Sequence, residues 1–234
     1  MFALFVSYPI ELGGKLFKKL IISLSMILSV AIAIGAMTPS YANDEIKALS
    51  KQAPKLNPNV IRLALTAYKN AETKGYSHSP ILTVIDFALP SNMKRLWVFN
   101  IQTNKLLYKT YVAQGKESGL KYAHYFSNQP GTHASSIGLF KTDTTYYGKD
   151  GYSLRLIGLE NEFNGNASRR DIVVHGAWYV NENYIEQKGY AGHSWGCFAV
   201  STKIVKPLVN TIKNDSLLFA YYPNQEWIQH SQFL

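Results

Sequence analysis

Arg170-Asp171-Ile172-Val173-Val174-His175-Gly176-Ala177 is an apolar, β-branched run closed by a histidine and a glycine. It has the texture of a strand buried on at least one face. A polar loop with Gly189 and Gly192 follows, and then Ser194-Trp195-Gly196-Cys197. Outward from these two stretches the chain reads as short strands. The expected strands are Ile81–Leu89, Leu96–Ile101, Lys105–Ala113, Ile137–Thr142, Ser153–Leu159, Asp171–His175 and Leu217–Tyr222. Gln102-Thr103-Asn104 reads as a hairpin turn, and Gly115–Gly119, Gly148–Gly151 and Asn161–Asn166 read as breaks. Strands without long alternating helices predict an antiparallel or mixed sheet, and they exclude a doubly wound fold. The fold class expected is mainly β with a few helices, as a sandwich or a barrel.

The first part of the chain has a different texture. Lys15, Lys18 and Lys19 precede an apolar, uncharged run from Leu20 to Ala36, and Ser40-Tyr41-Ala42 supplies small residues two apart. That is the pattern of a secretory signal peptide ending at Ala42, with residues 20–37 as an uncleaved anchor the alternative. Residues 43–78 are expected to be a helical N-terminal segment: a short helix over Asp44–Gln52, then one capped by Asn57 with Pro58 at its first position. Val60, Leu63, Ala64, Ala67, Tyr68 and Ala71 share a face of that second helix. Residues 79–234 are read as the main domain, and a helix with Ile204, Val205, Leu208, Val209 and Ile212 on one face follows the cysteine.

The 234-residue chain carries 24 Lys and Arg against 15 Asp and Glu, a formal charge of +9. Removing residues 1–42 takes away three Lys and one Glu and leaves +7. An exported basic protein suits an anionic cell wall or membrane surface. Nucleic acid is excluded as a partner by export and by the lack of a basic block. Cys197 is the single cysteine. In an exported chain it has no partner for an internal disulfide, so it is an inert buried side chain, an intermolecular bridge or a reactive thiol.

The neighbours of Cys197 favour the reactive thiol. A thiol nucleophile needs a base or cation nearby and backbone N–H groups aimed at the oxyanion that develops. His175 at a strand end would hold its imidazole firmly. Gly196 lets the backbone turn tightly before Cys197, so the N–H groups of Trp195, Gly196 and Cys197 are candidate oxyanion donors. Against this stand the plain readings, a core histidine and an inert core cysteine.

The same residues carry a resemblance. His175-Gly176 followed by Ser194-Trp195-Gly196-Cys197 resembles the catalytic motif of the YkuD-type L,D-transpeptidases. Ser136-Ile137-Gly138, Tyr147 to Gly151, Ser153 to Leu156, Gly158-Leu159-Glu160 and Arg170 to Ala177 resemble the murein L,D-transpeptidase catalytic domain branch, over about Ile81 to Val205. The resemblance implies a β-rich domain, a β-sandwich of mixed sheets, acting on peptidoglycan stem peptides. Cys197 would attack the bond between a diamino acid and a terminal D-Ala and form a thioester. An amine acceptor would resolve it, or water in an L,D-carboxypeptidase. His175 would be the base and the Gly176 carbonyl would orient its ring, with Ser194, Trp195 and Gly196 completing the motif. No cofactor and no metal is implied. Trp195 stands where many members have histidine, and no arginine follows Cys197, which leaves Arg155 or Arg170 to bind substrate.

Three other readings fit parts of the pattern. Gly192-His193-Ser194-Trp195-Gly196 matches the G-x-S-x-G nucleophile elbow, with Asp215 and His230 in the right chain order. His175, His193 and Cys197 could be three zinc ligands. A wall-binding module without catalysis would stack its tyrosines and tryptophans on sugars.

Overall fold

The computed structural model describes residues 39–234, with side chains from residue 43 onward. The export segment therefore lies outside the described residues, apart from its last four. These open a longer first helix than the sequence predicts, α1 (Pro39–Gln52). Helix α2 (Pro58–Thr73) starts as its sequence dictates: Asn57 accepts the Asn59 N–H at 2.9 Å and Pro58 fills the first turn. Eight strands follow: β1 (Ile81–Asp86), β2 (Leu96–Asn100), β3 (Lys105–Thr110), β4 (Gly138–Gly148), β5 (Gly151–Gly158), β6 (Val173–Ala177), β7 (Phe198–Ser201) and β8 (Leu217–Tyr221). Helix α3 (Glu182–Lys188) lies between β6 and β7, α4 (Val205–Ile212) between β7 and β8, and α5 (Gln225–His230) near the C-terminus.

The strands form one mixed sheet in the order β3-β2-β1-β8-β4-β5-β6-β7. Only β1–β8 and β6–β7 are parallel pairs. The sheet curls until its two edges nearly meet. Beyond β3, Ala113 bridges Ala199 of β7, its N–H donating to the Ala199 carbonyl at 2.8 Å, and Gly115 bridges Ser194.

Side-chain alternation divides the core. Leu82 and Val84 of β1, Trp97 and Phe99 of β2, and Leu217 and Phe219 of β8 face α1, α2 and Trp227 of α5. Ile85, Leu96, Val98, Leu218 and Ala220 point the other way, onto Val205, Leu208, Val209 and Ile212 of α4. These strands are covered on both faces, so they read as continuous apolar runs. Each fully buried aliphatic or aromatic side chain stabilises the fold by about 1.5–3 kcal/mol.

One buried cation ties the curled sheet together. Arg95, wholly buried, donates to the carbonyls of Leu89 at 2.7 Å and Val112 at 3.0 and 3.1 Å, and to the side-chain oxygen of Gln114. Gln114 in turn donates to the carbonyls of Gly119 and Leu120, both at 2.9 Å. Burial lowers the Arg95 pKa to about 9, with the charge of Asp86 opposing. Burial likewise raises Asp86 to about 6, against the Ala88 N–H and then Arg95. Arg95→Met would leave these acceptors without donors. Urea unfolding followed by tryptophan fluorescence should register a loss of about 3–5 kcal/mol; an unchanged midpoint would remove Arg95 from this role.

Candidate active site

The parallel pairing of β6 and β7 sets His175 opposite Ala199 and Val174 opposite Phe198. Cys197, one residue before β7, is thus level with Val173. Val174, Phe198 and Val200 point into the α4 side of the core, while Ala177 and Ala199 point to the opposite face. By alternation His175 and Cys197 share that opposite face, on neighbouring strands and two residues apart in register. Such diagonal neighbours stand roughly 7–8 Å apart, and somewhat closer at Cβ, within reach of a long side chain.

A small knot of backbone fixes the turn before Cys197. The Ser194 N–H donates to the Gln114 carbonyl at 3.1 Å, and the Lys116 N–H to the Ser194 carbonyl at 2.8 Å. The Ser194 hydroxyl donates to the Cys197 carbonyl at 2.7 Å and accepts the Gly196 N–H at 3.1 Å. The Ser135 hydroxyl donates to the Gly196 carbonyl and accepts the Gly115 N–H, both at 2.9 Å. Gly196 has φ +122°, which only glycine adopts readily. A Cβ on Gly115 would come within 2.8 Å of Gly196 Cα and N and closer still to the His133 carbonyl oxygen. Three chain segments therefore meet here by direct backbone contact.

His175 is buried, and its Nδ1 lies 3.2 Å from the Gly176 carbonyl. With the proton on Nδ1 that contact is a donated bond and Nε2 carries the free lone pair. Gly176 also has to be small: a Cβ there would lie 2.9 Å from Val205 Cγ1 of α4. The Cys197 thiol is partly exposed and donates to the Asp171 carbonyl at 3.2 Å. Burial pushes the thiol up to about 11; the Val173 N–H and then Arg170 act downward, Asp150 and Asp171 upward. Burial, with a smaller contribution from Lys149, holds His175 below the ordinary imidazole value against Asp150 and the Gly176 bond. Both shifts favour the uncharged forms, thiol and imidazole.

Both groups open onto a cleft of about 780 Å³ that also takes in Arg155, Arg170, His193, Ser194 and Trp195. The residues singled out in the sequence thus converge on one place, in different capacities. Arg155 projects from β5 level with Val173, over the Tyr146 ring at 4.3 Å and 3.9 Å from the Asp171 carboxylate. Arg170 is taken up by the loop beside the cleft. It donates to the carbonyls of Ser127 and Ala134 and to the hydroxyls of Ser136 and Thr132. It acts as a clamp, and Arg155 and Arg169 are the arginines left facing the cleft. The Gly196 N–H is engaged by Ser194, which leaves those of Trp195 and Cys197 to be considered as oxyanion donors.

The elbow reading does not survive the geometry. The Ser194 hydroxyl is engaged within its own turn, Asp215 pairs with Lys141 at 3.4 Å, and the His230 ring bonds the Glu226 carbonyl on α5. Among the described residues no three His, Cys, Asp or Glu side chains converge as a metal set would require.

Several lining residues are given no role by the sequence. Lys149 and Asp150 form the two-residue loop between β4 and β5, whose ends pair at Gly148 and Gly151. Their tip reaches the cleft. Trp195, 68% exposed, stacks on His133 at 4.8 Å with the Lys149 ammonium 5.5 Å from its ring. Tyr179 closes another side; burial and then the Cys197 and Asp150 charges raise its phenol well above the usual value.

The L,D-transpeptidase catalytic domain family matches residues 52–221. Solved structures similar to this chain include an L,D-transpeptidase from Mycobacterium smegmatis, at 14% identity and TM-score 0.40, over 62% of this chain and 59% of that one. L,D-transpeptidase 1 of Mycobacterium tuberculosis gives 13% and 0.33, over 61% and 62%. The helical cell shape determining protein of Campylobacter jejuni gives 10% and 0.37, over 64% and 50%. The chain thus spans less than two thirds of each of these. No curated protein sequence matches it.

A neutral resting thiol has a measurable consequence. Iodoacetamide alkylation of Cys197, followed by intact mass, should quicken about tenfold per pH unit from pH 7 to 9. A plateau below pH 8 would mean that the thiolate is already formed at rest.

Proposed function

Because the chain belongs to the L,D-transpeptidase catalytic domain family, we propose that it is a cysteine-dependent acyltransferase acting on peptidoglycan stem peptides, with Cys197 as nucleophile and His175 as general base. The observation that carries this reading is the bond between His175 Nδ1 and the Gly176 carbonyl. It reserves Nε2 as a proton acceptor on the face that Cys197 shares.

The chemistry then balances as follows. As the carbonyl between the diamino acid and D-Ala approaches, the Cys197 proton passes to His175 Nε2 and sulfur bonds to carbon. The oxyanion takes N–H donation from Cys197 and Trp195. The C–N bond breaks, and His175 returns the proton to the leaving D-Ala amine. A thioester remains. An amine of a second stem, deprotonated by His175, attacks it; the C–S bond breaks and the sulfur is reprotonated. Arg155, with one face open to the cleft, suits a carboxylate of the stem. Substrate of this kind lies outside the cytoplasm, which agrees with residues 1–42 as an export segment.

The test is to incubate the protein with sacculi and separate the muropeptides. Wild type should yield new 3→3 dimers. Cys197→Ala should yield none, and His175→Ala should fall by about 10²- to 10⁴-fold. Shortened monomers in place of dimers would make water the acceptor, and an unchanged profile with wild type would overturn the acyltransfer altogether.

A further inference from the structure

The strand that carries His175 runs past Ala177 into a second cleft, of about 650 Å³, bounded by the ends of β3 and β7, the Trp178–Val180 turn and α3. Its most prominent side chain is Trp178, 67% exposed. An indole that open to water is unusual in a folded chain, and this one is nevertheless held in place. It makes edge-on contacts with Tyr179 at 5.7 Å and Tyr184 at 5.5 Å. Its carbonyl accepts from Asn181 Nδ2 at 2.5 Å, and Asn181 Oδ1 caps α3 by accepting the Tyr184 N–H at 2.8 Å. A ring already fixed in position loses little conformational entropy when a ligand covers it.

The rest of the lining matches one kind of ligand. Tyr111 adds a second aromatic surface, and the side-chain amides of Asn183 and Gln187 supply donors and acceptors. Lys94 is occupied, 2.9 Å from Glu182 and over the Tyr111 ring. Lys109 and Lys203 have no carboxylate within 4.0 Å among the described residues. Fixed aromatic rings suit the apolar faces of sugar rings, amides suit hydroxyl and N-acetyl groups, and two unpaired ammonium groups suit carboxylates. The place matters as much as the chemistry. Trp178 follows His175 by three residues, at most about 10 Å of extended chain, so one polymer could occupy both clefts.

We propose that this second cleft binds the glycan strand of peptidoglycan, an N-acetylated sugar chain with a free carboxylate wherever a sugar lacks its stem and further carboxylates on the stems it carries, while a stem peptide of the same polymer enters the cleft of Cys197. The proposal rests on the acyltransferase reading above and extends it. The second cleft contributes to turnover of the polymer and nothing to turnover of a free peptide.

The experiment compares full-length wild type with Trp178→Ala and with the charge reversal Lys109→Glu/Lys203→Glu, all checked for folding by circular dichroism. Turnover of a soluble stem tetrapeptide should stay within twofold in both variants. On sacculi, KM should rise about tenfold while kcat holds. Binding is read separately in a Cys197→Ala background, with soluble glycan strands stripped of their peptides. These should bind about tenfold more weakly to both variants. Equal binding by all three proteins would overturn the proposal. So would a preference for anionic lipid vesicles over glycan, which would make the surface a membrane contact. If wild type turns over neither peptide nor sacculi, the acyltransferase reading falls, and glycan binding by the Cys197→Ala protein still decides what this cleft holds.

Discussion

The parallel pairing of β6 and β7 is the constraint on which the site depends. His175 and Cys197 are 22 positions apart in the chain, and parallel register brings them side by side on one face. β7 is only four residues long, so pairing alone would fix its start weakly. The start is fixed from outside. Gly115 and Gly196 meet backbone to backbone, the Ser135 hydroxyl bonds to both, and Arg95 holds Gln114, whose carbonyl receives the Ser194 N–H. A one-residue slip of β7 would turn Cys197 to the opposite face. The buried polar network thus serves register, and through register it serves chemistry.

The resting state follows from where the cysteine sits. Many reactive thiols lie at a helix N-terminus, where the dipole favours the thiolate. Cys197 opens a strand instead, partly covered and with the carboxylates of Asp150 and Asp171 in its field. The nearest cation, Arg170, is committed to the 127–136 loop. The fold supplies little to stabilise a standing thiolate. In the proposed reaction activation falls to the imidazole, whose lowered affinity for protons favours the neutral form that can accept one.

What was legible in the sequence, and what was not, follows burial. Strands β1, β2 and β8 read clearly because both their faces are covered, which makes their apolar runs continuous. Helix α2 announced itself through Asn57-Pro58. Strand β4 runs to Gly148, well past the Thr142 expected, because its outer half is a solvated hairpin arm without a hydrophobic signal. Strand β7 was missed because four residues beside a motif carry no period. Helix α3 was read as polar loop, since among its seven residues only Ile185 is buried. The motif located His175, Gly176 and Cys197. It gives no place in the cleft to Lys149, Asp150 or His133, which come from distant loops and reach the cleft through the β4–β5 hairpin and beside the Arg170 clamp. Arg170 itself was read as a binder of substrate. Four acceptors in the 127–136 segment claim its donors, and nothing local to Arg170 foretells them.

Trp195 shows why such a site tolerates a change within its own motif. The position stands where many members of the family carry histidine. In this chain the side chain leaves the turn altogether, lying between His133 and Lys149 at the mouth of the cleft. The work of the turn is done by main-chain groups and by Ser194 and Ser135, which do not involve the indole. The His175 ring is oriented by the Gly176 carbonyl, which any side chain at position 195 would leave in place. A tryptophan here disturbs neither the proposed base nor the group that orients it. It exchanges a titratable wall of the cleft for an aromatic one, gripped by a stacked ring on one side and an ammonium on the other.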